Sequence, residues 1–124
     1  MANPNIVSVA SIYGKTVYDQ DIAASAASLV SNAASSGKIF KINSLIIANI
    51  DGTNSADISV TLRNAAGGTI YSYLAWTVAL PADATLIVIS KDTSIYLEED
   101  MSLYVQASAA NDLSATCSYE EISE

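Results

Sequence analysis

Histidine is absent from the 124-residue chain, and cysteine occurs once, at Cys117. With no imidazole available, a Ser or Cys nucleophile cannot be activated in the usual way, and zinc sites built on His or several Cys ligands cannot be assembled. No disulfide can close within the chain, so cysteine usage leaves the redox compartment open. Basic residues are scarce, 5 Lys plus Arg against 13 Asp plus Glu, for a formal charge of -8. Phosphate contacts need clustered cations, so nucleic acid is not an expected partner. The start, MANPNIVSVASIYGK, lacks a positive charge followed by an unbroken apolar stretch and does not read as a secretory signal. No run approaches the ~18 to 20 apolar residues of a spanning helix. No membrane partner is therefore expected, and synthesis in a cytoplasm is implied. Gly67-Gly68 has no Gly-x-x-x-x-Gly-Lys context and reads as a turn, not a phosphate loop.

Apolar residues, by contrast, make up 51% of the chain, enough for one domain over residues 1–124 with its own core. The stretch from Lys38 to Leu62 organises it. Ala56, Ile58, Val60 and Leu62 alternate strictly with Asp57, Ser59, Thr61 and Arg63, the period of a half-buried strand with its polar side in water. Before it, Ile39 to Asn43 alternates and then gives way to Leu45, Ile46 and Ile47, as in a strand covered on both faces. With the turn Asp51-Gly52-Thr53-Asn54 between them, the two runs read as a central hairpin.

Around this pair, Ile6 to Tyr13 reads as a first strand ended by Gly14, preceded by an extended arm at residues 1–5 that contains Pro4. Within Asp19 to Ser36, Ile22, Ala26, Leu29 and Val30 fall at helical spacing, whereas five serines compete for helix hydrogen bonds; a short helix and a strand at Ala27 to Ser31 both remain open. Further strands follow at Thr69 to Val78, Thr85 to Ser90, Ile95 to Leu97, around Leu103 to Ala107, and at Leu113 to Ile122. In the second of these, Leu86 and Val88 share one buried face, and Ile87 and Ile89 the other. The expected fold is all-β: an antiparallel, jelly-roll-like β-sandwich of about eight strands.

Chemistry is harder to find. Cys117 lies at an apolar alternating position and reads as a buried structural thiol. The turns at Asp51 to Asn54 and Glu98-Glu99-Asp100 offer hard oxygens for calcium, but without the acidic spacing of a dedicated loop they read as solvated. A glycosidase needs two carboxylates about 5 to 10 Å apart across a cleft, and nothing selects such a pair. Five aspartates match the basic residues up to Lys91, so the eight acids from Asp92 to Glu124 carry the whole net charge; a solvated end is favoured over a docking face. Catalytic residues, cofactor and metal are all expected to be none. What remains is aromatic. Tyr71, Tyr73 and Tyr104 are expected to form an exposed strip, and with Asn3, Pro4 and Asn5 of the arm they are the candidate partner contacts. Trp76 is placed in the core with Ile70 and Leu74.

The segments SGKIFKINSLIIANIDGTNSADISVTL, VALPADATLIVISKDTSIYLEEDMSLYVQAS and SATCSYEEI resemble small virion structural proteins of tailed bacteriophages, in particular of marine cyanophage type. The resemblance covers the chain from about Ala27 onward. It departs at Glu99, where relatives tend to carry a glycine before the aspartate. It implies a single β-sandwich domain that decorates the capsid and stabilises the assembled head, without enzymatic activity. The implied partners are other copies of the chain, commonly as trimers, and major capsid or tail proteins, within the virion after synthesis in the host cytoplasm. The alternative is a tail or neck accessory or adhesin that recognises host-surface carbohydrate, with the three tyrosines as stacking platforms.

Overall fold

The computed structural model describes residues 3–124. Nine strands follow one another there: β1 (Ser11–Asp19), β2 (Ala27–Asn32), β3 (Lys38–Asn49), β4 (Ala56–Arg63), β5 (Ile70–Leu80), β6 (Thr85–Ile89), β7 (Ile95–Leu97), β8 (Met101–Ala107) and β9 (Leu113–Ser123). A short 3-10 turn at Lys91–Thr93 separates β6 from β7. They form two antiparallel sheets, one ordered β1-β9-β3-β6 with β7 also on β3, the other β2-β8-β4-β5. β6 and β7 behave as one interrupted strand, pairing with Leu45–Ala48 and Phe40–Ile42 respectively. Counted so, the chain has two four-stranded sheets in jelly-roll order, its path crossing repeatedly from one to the other.

The central hairpin of the sequence reading is not formed. β3 lies in one sheet and β4 in the other, so Ile50 to Ser55 is a corner between layers. Each strand has one apolar face, and facing each other across the core buries both at once. Ile42, Leu45 and Ile47 of β3, with Leu113, Ala115 and Cys117 of β9, meet Ile58 and Val60 of β4 and Leu103 and Val105 of β8. Each large side chain so placed contributes about 1.5 to 3 kcal/mol before conformational entropy is counted. The corner is built by side chains: Asp51 Oδ1 accepts from the Thr53 and Asn54 N–H groups at 2.8 and 3.3 Å. Buried Asn49 donates to the carbonyls of Asn54 and of Leu80 on β5 at 3.0 and 2.9 Å.

Of the two readings of Asp19 to Ser36, the strand is observed. The first strand, however, runs Ser11–Asp19 with Gly14 inside it, later than expected. The preceding segment is needed elsewhere. Asn3 Nδ2 donates to Glu98 Oε1 at 2.5 Å beside β7, and the Ala10 N–H donates to the Ser123 carbonyl at 2.8 Å beside β1. Residues 3–10 therefore cross the outer side of β3 and β9 at the level of Ile39 and Ile122, a cross-strand pair only 7% and 5% exposed. Pro4 is buried in the same segment. Met1 and Ala2, the first part of the expected arm, lie outside the described residues.

Of the eight acids from Asp92 onward, Asp92, Glu98, Asp100 and Glu124 are exposed, as a solvated end requires, whereas Glu120 and Glu121 are drawn into the sheet. β9 is an inner strand of its sheet, with Glu121 receiving Lys15 at 3.2 Å and Lys38 at 3.5 Å, and Glu120 accepting from Asn43 Nδ2 at 3.0 Å. In β6 the expected pairing of Ile87 with Ile89 fails, because a register shift beside Val88 leaves Ile87 exposed while Ile89 is buried.

Candidate ligand and interaction surface

The outer face of the β2-β8-β4-β5 sheet carries the residues with chemical potential. Directly opposed residues share a face, and Tyr104, Thr61 and Tyr73 form one row across β8, β4 and β5. Thr61 is 2% exposed, so the alternation that placed it in water is corrected. Two tyrosines flank it, and Arg63 Nε donates to its Oγ1 at 2.8 Å. Ser59, on the same side, is buried as well and accepts from the Thr77 N–H at 2.9 Å.

Tyr104 is half-buried and is not an open platform. The Arg63 guanidinium stands 4.8 Å over its ring, and Gly67, at φ 84, packs so closely that a Cβ there would overlap the phenol. Tyr73 remains 57% exposed and Tyr71 is exposed on the same edge strand. Asn5 is exposed and accepts from the Val7 N–H at 3.0 Å through its side chain, while Asn3 and Pro4 are engaged as described above.

Trp76 overturns its expected core position: it is 52% exposed and on the outer face. β5 pairs Ala75 with Val60 and Val78 with Ile58, so Trp76 and Thr77 together oppose the single residue Ser59 of β4, a bulge with one extra residue. Thr77 sits at φ 48, a left-handed conformation that costs a β-branched residue about 1 to 3 kcal/mol. The bulge turns Trp76 to the side of Tyr73, whose ring meets it edge-on at 4.9 Å between centroids. Nothing in IYSYLAWTVAL marks a bulge, since it contains neither glycine nor proline, and strict alternation is the default reading.

Beside Trp76 lies a half-open hollow of about 150 Å³, walled by Trp76 and Thr77, Asp57 and Ser59, and Gln106 and Ser108. Gln106 Nε2 is held by the Ala24 carbonyl at 2.9 Å, and the Ser108 hydroxyl oxygen accepts from the Asp57 N–H at 2.8 Å. Among the described residues, no donor reaches the Asp57 carboxylate.

At one end of the molecule, backbone and side-chain donors from Thr53 and Asn54 hold the Asp51 carboxyl below its ordinary range. Desolvation, with Asp51 nearby, moves Asp112 upward. Among the described residues, no group of three or more Asp, Glu or Cys is arranged to hold a metal ion. Burial pushes the Cys117 thiol up to about 12. Iodoacetamide at pH 8 is expected to leave the native protein unlabelled and to label it fully in guanidinium, as intact mass would record. The neutral thiol is favoured in the fold, so this contribution is intact below the ordinary value of 9.0 and is lost as pH rises towards about 12.

The exposed large hydrophobic side chains concentrate on two edge strands, three on β1 and five on β5 out of fourteen. β1 pairs with β9 without a register shift, whereas β5 is bulged three times.

These features define a jelly-roll β-sandwich with apolar edges. No protein-family model and no curated protein matches the chain. Among solved structures it is similar to a Bacillus endospore appendage protein, from appendages described as disulfide-linked pili, at 15% identity and a TM-score of 0.53, covering 91% of this chain and 88% of that one. It is also similar to a chain of the T13 particle of infectious bursal disease virus, at 10% identity and a TM-score of 0.51, covering 94% of this chain and 32% of that one. The VP2 subviral particle of the same virus follows at 12% identity, 94% and 34% coverage, and a TM-score of 0.48. The chain thus spans about a third of the viral chains' length. What is shared is the fold.

Proposed function

We propose that the chain is a non-enzymatic structural protein of a virus particle, and specifically a decoration protein of the marine cyanophage type that binds the assembled head of a tailed phage. The observation that carries this reading is the placement of apolar side chains on β1 and β5 of a rigid jelly roll. Such edges suit contacts with neighbouring subunits through side chains, and at unbulged β1 through added strands as well. Copies that bind only the assembled lattice stabilise it by mass action, and symmetry repeats each contact around the particle. A covalently linked pilus is disfavoured, because the single thiol is buried.

The purified protein should co-sediment with phage heads lacking it and raise the temperature at which they open. Tyr13→Asp combined with Tyr18→Asp should weaken both effects while leaving the melting temperature of the free protein unchanged. Sedimentation with isolated tails alone would instead support the tail or neck accessory role.

A further inference from the structure

We propose that the hollow beside Trp76 is a binding site for one neutral pyranose ring. A sugar ring presents an apolar C–H face and a rim of hydroxyls that both donate and accept, and the hollow offers a counterpart to each. The half-exposed indole supplies the apolar wall, held in place by the edge-on Tyr73 ring. Around it, the Asp57 carboxylate and Gln106 Oε1 are acceptors, the Gln106 amide being oriented by the bond that one of its two N–H donors makes to the Ala24 carbonyl. The Ser59 and Ser108 hydroxyls accept from the Thr77 and Asp57 N–H groups, so each retains a proton to donate outward. An apolar surface with a few convergent polar groups is the usual composition of a small-molecule site.

Charge narrows the ligand. Asp57 in the wall and a net charge of -8 disfavour phosphate, sulfate and sialic acid. A quaternary ammonium would gain from Trp76 and Asp57 but would leave both serine protons without acceptors. Tyr73 meets Trp76 edge-on instead of opening a second wall around a cation. The bulge is consistent with this use: without the one extra residue, Trp76 would not stand beside Asp57 on the outer face.

Trp76 is the sole tryptophan, so its emission reports on the hollow directly. Titration of the full chain with methyl glycosides of glucose, galactose, mannose, fucose, N-acetylglucosamine and N-acetylgalactosamine should give a saturable emission change with at least one. Asp57→Asn should weaken that affinity by about tenfold, the loss of one charge-assisted hydrogen bond, with an unchanged melting temperature. Trp76→Ala should abolish binding as measured by calorimetry. N-acetylneuraminic acid and tetramethylammonium should leave the emission unchanged. Silence with every neutral glycoside overturns the proposal, as does calorimetric binding that survives Trp76→Ala, or saturation by tetramethylammonium in their place. Binding to phage heads is read separately, so loss of either result leaves the other standing.

Discussion

Asn32→Asp, a change of one amide to a carboxyl, is expected to destabilise the fold by roughly 3 kcal/mol or more at neutral pH. Asn32 is fully buried at the end of β2, and its Nδ2 donates to the carbonyls of Lys38 at 2.9 Å and Leu97 at 3.0 Å. Both acceptors belong to the opposite sheet, at the start of β3 and the end of β7. Asn49 does the converse from the end of β3, reaching Leu80 on β5. A carboxylate at position 32 removes both donors and sets a buried negative charge against two carbonyl oxygens; the Ser36 hydroxyl, now donating to Asn32 Oδ1, remains as a partner. Burial and the carbonyls raise the introduced group's pKa in the fold above its unfolded value of about 4. Below that value both states are protonated, and as pH rises the unfolded chain ionises first, so the deficit grows until the folded pKa is passed. Thermal melts from pH 4 to pH 8 should therefore diverge progressively from wild type, whereas Asn32→Ala should show a deficit that does not change with pH. Parallel curves for the aspartate variant would refute the assigned donors.

Asn32 and Asn49 also show where sequence reasoning stops. Alternation and turn chemistry located most strands, because period two and apolar content are local properties of Ala56 to Arg63 or Leu103 to Ala107. Which sheet a strand joins is not local. Lys38 to Leu62 reads as a hairpin because alternation is the same whether the next strand lies alongside or across the core. Asp51-Gly52 then suggests a tight turn, although Asp51 bends the chain into the other layer. The hollow was invisible for a related reason. The bulge at Trp76 and Thr77 arises from how β5 is accommodated beside β4, and it exchanged an expected core residue for the most distinctive surface residue of the chain. The tyrosines were partly legible: Tyr73 and Tyr104 do share a face, but the Arg63 and Gly67 that cover Tyr104 come from β4 and from the turn after it.

The core and the outer face are expected to answer differently to the same substitution. Val60→Asp should leave no cooperatively folded protein, because Val60 is 0% exposed at the middle of β4, opposite Val105 and Ala75, where no side chain can receive a charge. An unpaired buried carboxylate costs several kcal/mol, on top of the lost apolar burial, against a total stability of about 5 to 15 kcal/mol. The neighbouring Thr61→Asp should fold but lose about 1 to 3 kcal/mol. Its site is also closed, between Tyr73 and Tyr104, yet Arg63 Nε already donates to the position and can pair with the new charge. Arg63→Gln removes that compensation, so Thr61→Asp should cost more in the Arg63→Gln background than in wild type. Denaturant melts of the single and double variants measure the difference. A wild-type midpoint for Thr61→Asp would mean that the outer face is as open as alternation alone suggests. Cooperative unfolding of Val60→Asp near the wild-type midpoint would mean that β4 does not face the core.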